Sequence, residues 1–299
     1  MPDLIYDTGV DESAPESILN RAKMLKSAGS LRAFLGQLSA DDRRKLTPYI
    51  ERYKDAAMKR KGPKTPEVKK QAKGAIGNLV EMICFGRTHN NKSEADFPKC
   101  EVELKVTGLR EHDDEAKERV SLSMISKKLI HGTDEYSKEM TTLDAYNNFG
   151  PIKSASSVLF VVYKYANGKN YLDAEIKGVF NWKPKGKQKR DMQDDFIIIR
   201  RMCDHGFAHC LGEGLGEYMG AATKSGGDEE GFENPAPVQN LAALMHAVEN
   251  DLNDNKARLE TFKTKLKAKL KKGGKIKRRC YSLKRTSVTE IIAKHLSCP

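Results

Sequence analysis

The stretch Asp96-Phe-Pro-Lys-Cys-Glu-Val-Glu-Leu-Lys105 decides how the rest of the chain is read. From Glu101 to Thr107 polar and apolar residues alternate, which puts Val102, Leu104 and Val106 on one side and Glu103, Lys105 and Thr107 on the other. This predicts a half-buried β-strand. The period of two sets the Glu103 carboxylate beside the Lys105 ammonium, and Asp96 enters from just upstream, with Pro98 restricting the chain between them. Two carboxylates then converge beside an amine. Mg²⁺ suits such a place, because it prefers oxygen ligands, takes one or two carboxylates and fills its other positions with water and a substrate phosphate. Mn²⁺ is expected to substitute. With Asp96 and Glu103 as ligands and Lys105 orienting or deprotonating water, the implied chemistry is metal-assisted hydrolysis of a phosphodiester.

The same spacing also fits a solvated strand face with an ion pair of little energetic value. An acidic residue two before a lysine recurs at Glu115 to Lys117, Glu175 to Lys177 and Asp254 to Lys256. Of these, Glu175 lies in a second alternating run, "YLDAEIKGVFNW", with Asp173 on its face, and is read as an outer strand.

Upstream of the strand, apolar residues Ile76, Leu79, Val80, Ile83 and Cys84 form one arc of a helix over about 67–85, ended by Gly86. Glu81 falls on the flank of that arc, next to the turn holding Gly77, where another backbone can come close. From there its carboxylate can face the cluster. Residues 1–65 read as an N-terminal helical part: an irregular acidic lead-in, short helices from Ser17 to Ala57 broken at Gly29 and at Ser39 to Asp42, then a Lys-rich linker with Gly62 and Pro63. Residues 66–299 form the remaining core.

Downstream, strands are expected near 119–126, 157–165 and 171–180, with a polar stretch at 131–150 long enough for a functional loop. A helix over 188–203 precedes "FAHCLGEGLGEYMGAATK", which has a strand-like end, and another helix covers 238–252. Ser287-Val-Thr-Glu290 reads as a capping box opening the last helix. Cys203, His205, His209 and Cys210 are zinc-type ligands, but they crowd into eight residues and lack the two separated pairs of a tetrahedral site.

The chain has 299 residues and a net charge of +12. No run of about 18 apolar residues occurs and the N-terminus is acidic, which argues against a spanning helix or a secretory leader and points to an intracellular protein, cytoplasmic or nucleoid-associated. The six cysteines show no paired spacing, so reduced thiols are expected. Residues 256–279 hold twelve Lys/Arg and one acid, and contribute +11 of the net charge; a smaller basic run spans Lys183 to Arg190. Beside a phosphodiester-cutting site, such runs suggest contact with nucleic-acid phosphates, with steep salt dependence. A basic membrane-surface helix is the competing reading, but its apolar face would be thin.

Five stretches in order resemble the family of the MutH mismatch-repair endonuclease and the GATC-cutting type II restriction enzymes. They are "KGAIGNLVEMICFG" (73–86), "DFPKCEVELKVTGL" (96–109), "KERVSLSMIS" (117–126), "AHCLGEGLGEYMGAATKSGG" (208–227) and "CYSLKRTSVTEIIAKHL" (280–296). The resemblance implies an α/β, restriction-endonuclease-like fold with a central mixed sheet flanked by helices. It implies Asp96 and Glu103 as Mg²⁺ ligands, Lys105 as catalytic lysine and Glu81 as the helix carboxylate that completes the site. It further implies Lys73 near the scissile DNA, Tyr218 against the recognised bases, Arg190 in DNA contact, and Lys224 and Lys284 as phosphate or base contacts. The activity implied is restriction of double-stranded DNA at GATC, with a homodimer or two visits needed to cut a palindrome. The alternatives are a mismatch-repair nickase with a MutL-type partner and a non-catalytic DNA-binding module. The chain departs from the family pattern in having extra residues between Gly231 and Lys277 and in stopping at Pro299, before the second, regulatory copy of the domain found in the most similar restriction members.

Overall fold

Pro15 and Glu16 in the first turn start α1 (Pro15–Ala28), and Gly29, left-handed at φ 82°, ends it. Ser30 then caps α2 (Leu31–Gln37), its hydroxyl accepting the Ala33 amide at 3.2 Å. Ser39 opens α3 (Ala40–Met58) in the same way, accepting from the Asp42 amide at 3.1 Å. The computed structural model describes residues 4–58, 74–88, 95–125, 146, 157–164, 170–223, 240–252, 255–270 and 279–297. Within it the chain forms two units interleaved along the sequence. The first comprises Met1–Glu118, Ser157–Trp182 and Thr289–Pro299; the second comprises Arg119–Ser156 and Lys183–Val288.

In the first unit, α4 (Ala75–Phe85) lies between Gly74 and Gly86, both left-handed. Strand β1 (Glu103–Leu109) follows and pairs in parallel with β3 (Val158–Lys164), which pairs antiparallel with β4 (Glu175–Trp182). The result is a mixed sheet in the order β1-β3-β4. Ile18 and Leu25 of α1, Phe34 of α2, Leu46 of α3, Leu79 and Ile83 of α4, Leu104 of β1 and Val161 of β3 share one core. The N-terminal helices thus pack with the sheet. His295, near the C-terminus, stacks on Phe180 of β4 with ring centroids 4.2 Å apart.

The second unit has an antiparallel sheet in the order β2-β6-β5, built from β2 (Val120–Met124), β5 (Met219–Thr223) and β6 (Arg279–Leu283). Its helices are α5 (Gly186–Asp204), α6 (Leu241–Asp251) and α7 (Lys256–Leu270). Phe196 of α5 packs against Tyr281 of β6 and against Tyr146, at centroid distances of 5.7 and 5.4 Å. The last helix, α8 (Arg285–Leu296), begins in this unit and contributes its residues from Thr289 onward to the first. Among the described residues no helix is long and apolar enough to cross a membrane.

Four expectations change. Strand β1 is covered on both faces rather than half-buried: Leu104 is 6% exposed, Glu103 8% and Thr107 2%. A strand paired in parallel within an α/β layer is usually covered on both sides, and the alternation of residue types does not reveal that. Gly77 is not needed for close approach, since a Cβ there would meet Val106 Cβ at 3.9 Å, an ordinary contact. Ser287 does not open the last helix: that helix starts at Arg285, and the Ser287 hydroxyl donates to the Tyr218 carbonyl at 2.9 Å instead. The basic segment is not simply a charged run, because its part in α7 buries Arg258, Leu259, Phe262 and Leu266 along one side. The outer-strand reading of Glu175 agrees with the edge position of β4, where Lys177 meets Glu175 at 2.8 Å and Asp173 is held by Arg32.

Candidate active site

Asp96 is brought opposite β1 by a tight reversal. The Phe97 amide donates to the Val102 carbonyl at 2.9 Å and the Val102 amide returns to the Phe97 carbonyl at 3.2 Å, with Pro98 and a left-handed Glu101 (φ 55°) between them. A non-glycine residue in that conformation costs about 1–2 kcal/mol, so the closure of the loop is holding it there. The Asp96 carboxylate then accepts the Leu104 amide at 2.8 Å, and the Asp96 amide points at Glu103 Oε2 at 3.3 Å. The other oxygen of Glu103 accepts from Lys105 Nζ at 2.6 Å. Asp96, Glu103 and Lys105 are therefore one cluster. Helix α4 supplies Glu81, whose charge acts on Asp96.

Burial, followed by the neighbouring Glu103, raises the Asp96 carboxyl from its ordinary 3.8 to about 6, against the pull of Lys105. A carboxylate held at such cost beside a second one suits a cation, which would relieve it. Among the described residues no three His, Cys, Asp or Glu side chains gather as a metal site. The donor set is a two-carboxylate one, which fits Mg²⁺ with water and phosphate in its remaining positions. An acid whose folded pKa is raised carries no penalty below its unfolded value and a growing one as pH climbs toward the folded value. Asp96→Asn is therefore expected to stabilise the metal-free protein by about 2–3 kcal/mol at pH 7.5, shrinking toward zero as pH falls to 4. Urea unfolding at the two pH values measures it, and an equal gain at both would refute this account of the carboxyl.

The remaining candidate residues lie elsewhere. Arg190 is exposed near the start of α5. Tyr218 is 5% exposed, so its ring is in the interior of the second unit, and contact with bases would require that ring to leave the core. Lys284 spans back to the loop before β5, its Nζ on the Gly216 carbonyl at 3.2 Å and its amide on the Tyr218 carbonyl at 3.1 Å. Lys73 and Lys224 lie outside the described residues, as do 271–278 of the basic segment. Cys203 and Cys210, two of the zinc-type residues, are buried free thiols.

Sequence reasoning missed an ionic centre in the second unit. Asp195 of α5, 0% exposed, accepts the consecutive amides of Glu217, Tyr218 and Met219 at 2.9, 2.8 and 2.7 Å, and also binds the guanidinium of Arg258. Arg258 and Lys265 of α7 both reach Glu217, at 3.3 and 2.7 Å. Lys263 is paired with Glu260 at 2.7 Å. These cations of the basic segment are engaged within the fold, so the segment's full charge is not presented to phosphates. Gly216 is required at this turn, because a Cβ there would run into the Met219 carbonyl. It also missed Arg87, which binds the Asp96 carbonyl.

A family model described as DNA mismatch repair enzyme MutH matches residues 85–195, a stretch that includes Asp96, Glu103 and Lys105. The chain is also 25% identical over 187 residues, 60% of its length, to the type II restriction enzyme Sau3AI of Staphylococcus aureus. That alignment covers 35% of the enzyme, so the chain matches about a third of the length of this relative. Both similarities fall on the family that the sequence motifs resemble. The MutH domain is restriction-endonuclease-like in fold, and the mixed α/β sheet of the first unit agrees with it.

Proposed function

We propose that this MutH-like chain is a Mg²⁺-dependent endonuclease that hydrolyses double-stranded DNA, acting as a type II restriction enzyme at GATC. The observation that carries the reading is the gathering of Asp96, Glu103 and Lys105 at the start of β1, within the part of the chain that matches the MutH family. Endonucleases of this fold generally use divalent metal ions. Asp96 and Glu103 would hold Mg²⁺, which when bound supplies electrostatic stabilisation of the charge that builds on the phosphate oxygens. Lys105 keeps one N–H on Glu103 and has others to orient the attacking water toward phosphorus. Glu81 of α4, whose charge acts on Asp96, is the carboxylate assigned to complete the site. The net charge of +12 supports a polyanionic substrate.

GATC specificity and preference for restriction rest on the resemblance in "KERVSLSMIS" and "AHCLGEGLGEYMGAATKSGG". One cluster cuts one strand, so a palindrome needs two subunits or two visits. Incubating the protein and Mg²⁺ with a plasmid bearing GATC sites tests the reading. Linear fragments without accessory proteins are expected. Open circles stimulated by a MutL-type partner would favour the mismatch-repair nickase, and salt-sensitive binding with no cutting would leave a non-catalytic DNA-binding protein.

A further inference from the structure

Arg87 lies outside the acid-acid-lysine cluster yet touches it. It is 6% exposed, and nothing in its neighbourhood leaves the guanidinium idle. Nη2 donates to the Asp96 carbonyl, Nη1 donates to Glu12 Oε1 at 3.0 Å, and Cζ lies 4.3 Å over the ring of Phe97, the residue after Asp96. Its backbone is equally placed. α4 ends with the Gly86 amide on the Met82 carbonyl at 3.1 Å and the Arg87 amide on the Glu81 carbonyl at 3.3 Å. One residue thus joins the main chain of Glu81 to the main chain of Asp96. Arg87 reaches Asp96 through the backbone carbonyl and not the carboxylate, so its part is to hold the main chain in place.

The N-terminal segment completes the anchorage. The Ile5 amide donates to the Gly86 carbonyl at 2.6 Å, Leu4 bridges to Arg87, and the Tyr6 hydroxyl donates to the Ile83 carbonyl at 2.5 Å. Gly86 is left-handed at φ 65°, and a Cβ there would collide with the Tyr6 carbonyl. Residues 4–12 therefore lie across the end of α4 and present Glu12 as the counter-ion of a buried cation, which would otherwise be expensive to bury.

We propose that Arg87, held by Glu12 of the N-terminal segment, is a positioning residue that fixes Asp96 for metal binding. The inference rests on the reading of Asp96 and Glu103 as metal ligands. Partners that orient a ligand typically contribute about 10- to 100-fold in metal affinity, and a guanidinium that holds the ligand's own backbone belongs to that class. Lysine can replace one of the two donations but not the fork.

The test measures Mn²⁺ binding by electron paramagnetic resonance on the full chain, alongside cleavage as a function of Mn²⁺ concentration, for wild type, Arg87→Met, Arg87→Lys and Glu12→Gln. Arg87→Met is expected to weaken Mn²⁺ binding about tenfold, with cleavage recovering to within about threefold of wild type at saturating Mn²⁺. Arg87→Lys should recover part of the affinity, and Glu12→Gln should lose about threefold, in line with its half-exposed place. A merely structural arginine would lower the melting temperature and leave Mn²⁺ affinity alone, and that result overturns the proposal. If Arg87→Met does not fold, unchanged affinity in both Arg87→Lys and Glu12→Gln overturns it as well. Wild-type protein that binds no Mn²⁺ sinks the ligand reading and this inference together, whereas wild-type binding matched by all variants removes this inference alone.

Discussion

Lys105→Ala is expected to slow strand cleavage at least about a hundredfold, since a group that positions water or moves its proton is typically worth about 10²–10⁴ in rate. Binding to duplex DNA should survive, because Lys105 is one of 53 Lys and Arg residues and sits partly covered on Glu103. The two measurements separate a catalytic lysine from a phosphate contact. Single-turnover cleavage with excess enzyme reads the chemical step, and a gel-shift titration at fixed salt reads affinity. Cutting at the wild-type rate would end the assignment of this cluster. Loss of both cutting and binding in step would make Lys105 an ordinary electrostatic contact. The variant also frees the Glu103 oxygen that Lys105 now holds at 2.6 Å, so metal binding should weaken less than cleavage does.

The second large effect is one of stability. Arg258→Met should destabilise the fold by about 3–5 kcal/mol, the usual result of removing one partner from a buried ion pair. Asp195 would keep its three amide donors but lose its cation, in a place with no access to water. Methionine keeps the apolar stem of the side chain and removes the guanidinium, so the loss is chiefly that of the ion pair and its hydrogen bonds. Lys256→Ala, at an exposed position on the same helix, should change stability by less than about 0.5 kcal/mol. Urea denaturation compares the two, and similar small shifts for both would show that the Asp195 centre contributes little. The double variant Asp195→Asn/Arg258→Met should recover part of the loss, because no charge is then stranded.

What could be read beforehand follows from how local each relation is. Glu103 and Lys105 share a strand, so a period of two places them, and Asp96 needs only the short loop around Pro98 to join them. The end of helix α4 was legible from its apolar arc and from Gly86, but its start was not: the expected helix over 67–85 begins only at Ala75, after the left-handed Gly74, and residues 67–73 lie outside the described ones. Arg87 was not, because its role runs through a side chain to a backbone carbonyl nine residues away, and no periodicity marks that. Asp195 and Arg258 are separated by 63 residues, and each looks like one more surface charge in a polar helix. In α7 the spacing of Leu259, Phe262 and Leu266 was visible, but the surrounding lysines drew the reading toward solvent. The covering of the polar face of β1 depends on its partner strand and on the layers around it, which residue type alone does not report.

The interleaving of the two units has a consequence for synthesis on the ribosome. Asp96, Glu103 and Lys105 emerge early, yet β1 needs β3, from beyond residue 157, as its neighbour, and β4 receives His295 from close to the C-terminus. A nascent chain shorter than about 290 residues cannot finish its first unit. On the proposed reading as a DNA endonuclease, this order of assembly would keep the cutting centre unfinished until the residues from Thr289 onward have been made.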